Sequence, residues 1–213
     1  MKRPTQDVVW TVLDEIEEAG ASFDAAAPDY DNRFLNLDRK AGEFLLFLIQ
    51  VMRRRAIVEI GTSYGFSTIW LAMGLRKLLA GGRLITIGRN PQKQQEAIDN
   101  VTRAGLQEHV RFLLGDATDV VGKFDTPIDC VFFDADRVSA PLQLRTLLPK
   151  LSLDCVLIAD NAISHGGELQ AYFDLVAAQP DFQTLTLPIG KGLHVAYRSG
   201  NPGVLDCLGG LRT

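Results

Sequence analysis

Apolar positions run along the chain in two alternating rhythms. Between Thr5 and Glu18 they fall at Val8, Val9, Val12, Leu13 and Ile16, the stripe of an amphipathic helix. A polar, proline-containing stretch, Gly20 to Asn32, reads as a connector. A second helix is predicted from Asp38 as N-cap, carrying Phe44, Leu45, Phe47, Leu48 and Val51. The rhythm then becomes short continuous runs, each followed by a helical stripe. Ala56 to Ile60 is an apolar run bounded by Gly61, as in a buried parallel strand, and Ile69, Trp70, Met73, Leu75 and Leu78 follow at helical spacing. Strands are predicted at Arg83–Ile87, Val110–Leu114, Ile128–Phe133 and Val156–Ala159. Helices are predicted at Pro91–Ala104, after Gly115-Asp116-Ala117, over most of Val138–Leu151, and at Glu168–Ala178. Phe182–Leu187 and Leu193–Tyr197, separated by Pro188-Ile-Gly-Lys-Gly192, carry a hairpin signal.

Five strand-then-helix units followed by a strand pair predict an α/β fold with a doubly wound, mostly parallel sheet and right-handed crossovers. The closing hairpin is expected to put an antiparallel strand at the sheet edge. One domain is expected, with an N-terminal helix and connector over 1–37, a core over 38–198, and a glycine-rich tail or oligomer arm over 199–213.

Composition narrows the classes. A net charge of −4 and a pI near 5.4 give no basic footprint for nucleic acid. The short basic cluster Arg53-Arg54-Arg55 is read as a solvated helix end. Cys130 and Cys155 sit inside apolar strand patterns and, with Cys207, match neither a disulfide framework nor a zinc motif. No apolar run reaches membrane-spanning length, and the N-terminus runs into an amphipathic helix, so a soluble cytoplasmic protein without a membrane partner is expected.

Ligands of parallel sheets bind outside the carboxyl ends of the strands. Those ends carry Gly61 to Gly65, then Gly88, Arg89 and Asn90, then Asp116, then Asp134 and Asp136, then Asp160 and Asn161. The glycine turn lacks G-x-G-x-x-G, which disfavours a nicotinamide dehydrogenase; it suits a ligand without a pyrophosphate, and a plain strand-to-helix turn is the alternative. Asp134, Asp160 and Asn161 form a hard oxygen set of the kind that holds Mg²⁺. Helix capping is the other use of such strand-end acids.

Val58-Glu-Ile-Gly-Thr-Ser-Tyr-Gly-Phe-Ser67, Phe133-Asp-Ala-Asp136 and Ala159-Asp-Asn161 together resemble the S-adenosylmethionine-dependent O-methyltransferases of the caffeoyl-CoA and catechol type. Asp160-Asn-Ala-Ile-Ser-His165 and Pro188-Ile-Gly-Lys-Gly192 look like the small bacterial branch of that group. The resemblance runs from about Asp38 to Arg198. It implies a Rossmann-like, seven-stranded methyltransferase sheet, S-adenosylmethionine as cofactor, a divalent metal such as Mg²⁺, a small hydroxylated acceptor and a homodimer. It assigns the amino-acid end of the cofactor to Glu59, Gly61 and Thr62, with Gly65 in the turn and Ser67 nearby. Asp116 and Ala117 would border the adenine, and Asp136 would lie close to the cofactor. Asp134, Asp160 and Asn161 would hold the metal.

Two positions depart from the family pattern. Gly88 stands where the family has a carboxylate for the ribose hydroxyls, with Asn90 as a possible partial substitute. Arg137 stands where relatives carry a lysine base, and arginine stays charged, so it could steady a substrate anion or pair with an acid. His165, four residues past the metal pair, is the candidate base, with a solvent-facing loop histidine as the alternative reading. His109 and His194, at strand starts, are read as structural. The leading expectation is a metal-assisted O-methyltransferase acting on a catechol- or phenol-like hydroxyl. A cofactor-binding protein with little catalysis and a tRNA hydroxyuridine O-methyltransferase remain as alternatives.

Overall fold

A computed structural model describes residues 4–26, 33–124 and 127–200. Two helices come first, α1 (Pro4–Ala26) and α2 (Arg39–Met52). Asp38 caps α2 as expected, its side chain accepting the Lys40 N–H. Then come β1 (Ala56–Ile60), α3 (Phe66–Arg76), β2 (Arg83–Gly88), α4 (Pro91–Arg103), β3 (Val110–Leu114), α5 (Ala117–Val120), β4 (Ile128–Phe133), α6 (Ala140–Leu147), β5 (Leu151–Ala159), α7 (Gly166–Ala177), β6 (Phe182–Leu187) and β7 (Leu193–Arg198).

The seven strands form one sheet in the order β3-β2-β1-β4-β5-β7-β6. β1 to β5 are mutually parallel, and β7 runs antiparallel to both β5 and β6. The sheet separates two apolar layers. One holds α1, α2 and α3 side chains such as Leu13, Leu45 and Trp70; the other holds α6 and α7 side chains such as Leu144 and Tyr172. The strand order reverses between β1 and β4, so the crevice of a doubly wound fold opens at the ends of those two strands.

Three expectations change. The stretch from Gly20 to Ala26 continues α1 and is no connector; 27–32 lie outside the described residues, as do Cys207 and residues 201–213 of the predicted tail. β5 begins at Leu151, so the helix before it is shorter than the apolar spacing implied. The closing hairpin sits at the sheet edge as expected, with β7 inside and β6, antiparallel to it, outermost. Arg54 is not solvated: it is 6% exposed, and its Nη1 and Nη2 donate to the Asp154 carbonyl and Oδ1, each at 2.9 Å. Cys130 and Cys155 are buried free thiols, and burial pushes both up, Cys155 to about 12. No helix among the described residues is long and apolar enough to cross a membrane.

Candidate active site

β1 ends in the turn that opens the crevice. Gly61 has φ +115°, and its amide bonds to the Ile87 carbonyl at 3.0 Å. Gly65 caps α3 at φ +86°, and a Cβ there would stand 3.1 Å from Ala97 Cβ; it is needed for the seating of α3 on α4. The turn opens onto a cavity of about 930 Å³. Its walls include Gly61, Thr62, Ser67, Gly88, Asp116, Ala117, Asp134, Asp136, Arg137, Asp160, Asn161 and His165, so one space collects twelve of the residues that the sequence singled out.

Glu59 and Gly65 do not line it. Glu59 lies beneath the wall, fully buried, with its Oε2 accepting from Thr68 Oγ1 at 2.6 Å and its Oε1 unpartnered. Burial raises its carboxyl to about 7, against the lowering effect of hydrogen bonds from Ser67, Thr68 and Thr86. Its link to the cavity runs through Ser67.

The oxygen set gathers across the β4 and β5 ends. Asp160 and Asn161 are both buried, and Asn161 sits in the left-handed region at φ +66°. There Asn161 Nδ2 donates to Asp160 Oδ2 at 3.0 Å, which leaves Asp160 Oδ1 buried without a partner. The Asp134 carboxyl is pushed well above the usual carboxylate range by burial, then by the Asp160 charge and the Glu59 charge. Asp160 is raised by burial, opposed by a hydrogen bond from the Asn161 backbone and by the Lys191 charge. Among the described residues no three His, Cys, Asp or Glu side chains form a metal cluster; the set here is two carboxylates and a carboxamide. An orphaned buried oxygen beside a second carboxylate fits a hard divalent cation.

The other acids also hold local backbone, Asp116 as the N-cap of α5 and Asp136 in the turn ahead of α6. Asp116 accepts from Thr118 N at 2.8 Å and Asp136 from Val138 N at 3.3 Å and from the Ser139 hydroxyl. Asn90 caps α4, its Oδ1 accepting from Gln92 N and Lys93 N. Arg137 reaches the cavity wall with its Nε donating to Glu168 Oε2 at 2.7 Å, the acidic pairing that the sequence left open. His165 is exposed at the start of α7, its Nδ1 2.8 Å from Ser164 Oγ. His194, by contrast, is buried against Tyr172 and Phe173, and burial lowers it to about 4.

Sequence reasoning missed Gln94, Gln143, Ser139 and Lys191 on the walls. Lys191 belongs to the Pro188–Gly192 turn, whose Lys191 and Gly192 carbonyls accept from Ala162, Ile163 and Ser164. A Cβ on Gly192 would lie 2.5 Å from the Ile163 amide nitrogen, so that glycine lets the turn press on the loop after Asp160. Gln94 and Gln143 share buried helical stripes with Ala97 and Val101, and with Ala140, Leu144 and Leu147. A polar residue on an apolar stripe was the available signal.

A cavity at the sheet's switch point, walled by a glycine turn, strand-end acids and an oxygen set, defines a class I methyltransferase arrangement. The chain belongs to the S-adenosylmethionine-dependent O-methyltransferases of the catechol and caffeoyl-CoA type. A methyltransferase-domain family matches residues 58–162. The catechol O-methyltransferase of Mycobacterium tuberculosis is 35% identical over 149 residues, 68% of this chain and 66% of that protein, just under two thirds of its length. That of Niastella koreensis is 30% identical over 164 residues, covering 75% of this chain and 68% of the relative. The O-methyltransferase from Bacillus cereus, solved in complex with S-adenosylhomocysteine, superposes with a TM-score of 0.75 at 28% identity over 89% of this chain and 91% of that one.

Proposed function

We propose that this chain transfers the methyl group of S-adenosylmethionine to a hydroxyl of a small catechol- or phenol-like acceptor, with a divalent cation such as Mg²⁺ at Asp134, Asp160 and Asn161. The observation that carries this reading is the shared cavity: the Gly61–Ser67 turn and the Asp134/Asp160 pair with its orphaned oxygen face one space. Relatives named catechol O-methyltransferase and a similar structure holding S-adenosylhomocysteine support the acceptor class and the cofactor.

The chemistry follows from the residues. Methyl transfer needs an oxygen nucleophile in line with the sulfonium methyl, so positioning carries much of the rate. A phenol ionises near pH 10 in water, and a bound divalent cation supplies the Lewis acidity that stabilises the phenolate. Asp134 and Asp160 hold that positive charge, and Asn161 contributes a neutral oxygen. His165 lines the cavity and offers an imidazole to take the hydroxyl proton. Arg137 cannot accept a proton; held by Glu168, it sets a positive charge beside the developing oxyanion. A homodimer is part of the reading, supported by Phe47 and Val51, both 61% exposed on α2, as an apolar pair for a second copy to cover.

The test is methyl transfer from labelled S-adenosylmethionine to a catechol panel, with Mg²⁺ and with chelator. Turnover that needs Mg²⁺ and falls at least a hundredfold in Asp160→Ala is expected. A chain that binds the cofactor but methylates no member of the panel would instead be the cofactor-binding protein that Gly88 brings to mind.

A further inference from the structure

In doubly wound sheets the end of the second strand is where a ribose is held, usually by an acidic side chain. Here that place is Gly88, on the cavity wall and without a side chain. We propose that Gln94, one turn into α4, supplies the missing hydrogen-bonding group to a ribose hydroxyl of the cofactor. The proposal rests on the S-adenosylmethionine reading above.

Three observations lead to it. Gln94 is only 9% exposed, yet it lines the cavity, and its Oε1 is buried without a hydrogen-bond partner. A buried amide oxygen left unpaired is uncommon and calls for a donor. Its position is fixed: the Gln94 amide donates to the carbonyl of the N-cap Asn90 at 3.0 Å, closing the first turn of α4 two residues after β2 ends. A Cβ added to Gly88 would lie 3.5 Å from Gln94 Oε1, so the amide stands where a side chain at 88 would project.

The neighbouring acceptors are engaged elsewhere. Thr62 Oγ1, 3.1 Å from that same Cβ position, is hydrogen-bonded to Thr86 Oγ1 at 2.7 Å. Asn90 Oδ1 is committed to capping α4. A neutral carboxamide takes an O–H···O bond as a carboxylate does, more weakly, and its NH₂ group can also donate to the hydroxyl oxygen. Gln94 thereby replaces a charged ribose contact with a neutral one and lets position 88 remain glycine.

The experiment is titration calorimetry of S-adenosylhomocysteine and its 2′-deoxy and 3′-deoxy analogues against the unaltered chain, Gln94→Leu and Gln94→Met. Both variants should bind S-adenosylhomocysteine about three- to tenfold more weakly, the size of one neutral hydrogen bond. With the analogue that lacks the contacted hydroxyl, the unaltered chain and the variants should bind alike. Their ligand-free thermal midpoints should match or exceed that of the unaltered chain, because each removes a buried unpaired amide. Unchanged binding in both variants, or an equal loss with all three ligands, overturns the role of Gln94. No binding of S-adenosylhomocysteine by the unaltered chain overturns the cofactor reading itself.

Discussion

A Cβ built on Gly61 would lie 2.1 Å from the Asp134 carbonyl oxygen, closer than any packed pair of atoms allows. The backbone just past the end of β4 thus presses on the turn that closes β1. That approach joins the glycine turn to the first acid of the oxygen set, so one glycine positions both halves of the site.

Gly61→Ala should therefore be among the most damaging single-methyl changes in the chain. The side chain meets backbone, which cannot swing aside, at a φ of +115° that L-residues rarely adopt. A loss of about 2–4 kcal/mol is expected from overpacking and backbone strain together. Urea unfolding of the two proteins measures it; a difference below about 1 kcal/mol would mean that the β1 and β4 ends separate easily.

Glu59 predicts a pH dependence with a definite sign. Its folded-state value, about 7, is above the 4.5 of an exposed glutamate. The native state therefore holds the proton that the unfolded state has released, and stability falls as pH rises from about 4.5 to about 7. The full contribution is about 3 kcal/mol, lost by the top of that window. Glu59→Gln, which keeps an acceptor for Thr68, should flatten the fall. Matched unfolding curves at pH 4.5 and 7.5 give the comparison, and equal slopes in the two proteins would rule Glu59 out as the source.

How much of this was readable beforehand depended on whether local pattern and tertiary contact agreed. β1, β3 and β4 begin and end where the apolar-rich runs do, and β6 where the hairpin signal puts it. The sequence pattern stops α1 short of Gly20 because glycine reads as a breaker. There, a Cβ would stand 2.4 Å from Asn36 Nδ2, so the residue is small for a contact made sixteen positions away. The first half of β5 carries no strand signal, since Ser152, Leu153 and Asp154 are not buried and show no strand rhythm. The placement of β7 inside β6 was latent in composition: Leu193 to Ala196 are buried, whereas Gln183 to Thr186 are exposed. In the site, strand-end acids were legible because topology brings strand ends together. Gln94 and Lys191 were not, since helix and turn residues reach the cavity only through packing.

Arg54 gives a test of the misread basic cluster. Its guanidinium is buried at the α2–β1 junction and its carboxylate partner Asp154 is half exposed. Asp154→Ala removes the charged partner but leaves the bond to the residue 154 carbonyl. A cost of about 1–2 kcal/mol is expected, less than for a fully buried pair. Arg53→Ala, at a residue that caps α2 through its backbone, should cost less than half as much. Thermal midpoints of the two variants decide it, and equal effects would return Arg54 to the solvated class.

The acids at the β4 and β5 ends predict opposite changes with and without metal. Asp134 is raised well above the ordinary carboxylate range, first by burial and next by Asp160. A raised acid destabilises the fold as pH climbs past its unfolded value near 4, since ionisation then opposes folding. Asp160→Asn keeps an acceptor for Asn161 Nδ2 and removes one charge of the pair. The metal-free variant should accordingly be more stable than the unaltered protein at pH 7.5 and show a shallower decline with rising pH. On the proposed reading, Mg²⁺ at about a hundred times its dissociation constant stabilises the unaltered protein by roughly 2.7 kcal/mol, and the variant by much less. Melting curves of both proteins in chelator and in excess Mg²⁺ give all four values. A variant less stable than the parent in chelator would mean that Asp160 is structural, and equal Mg²⁺ shifts in the two proteins would place the cation elsewhere.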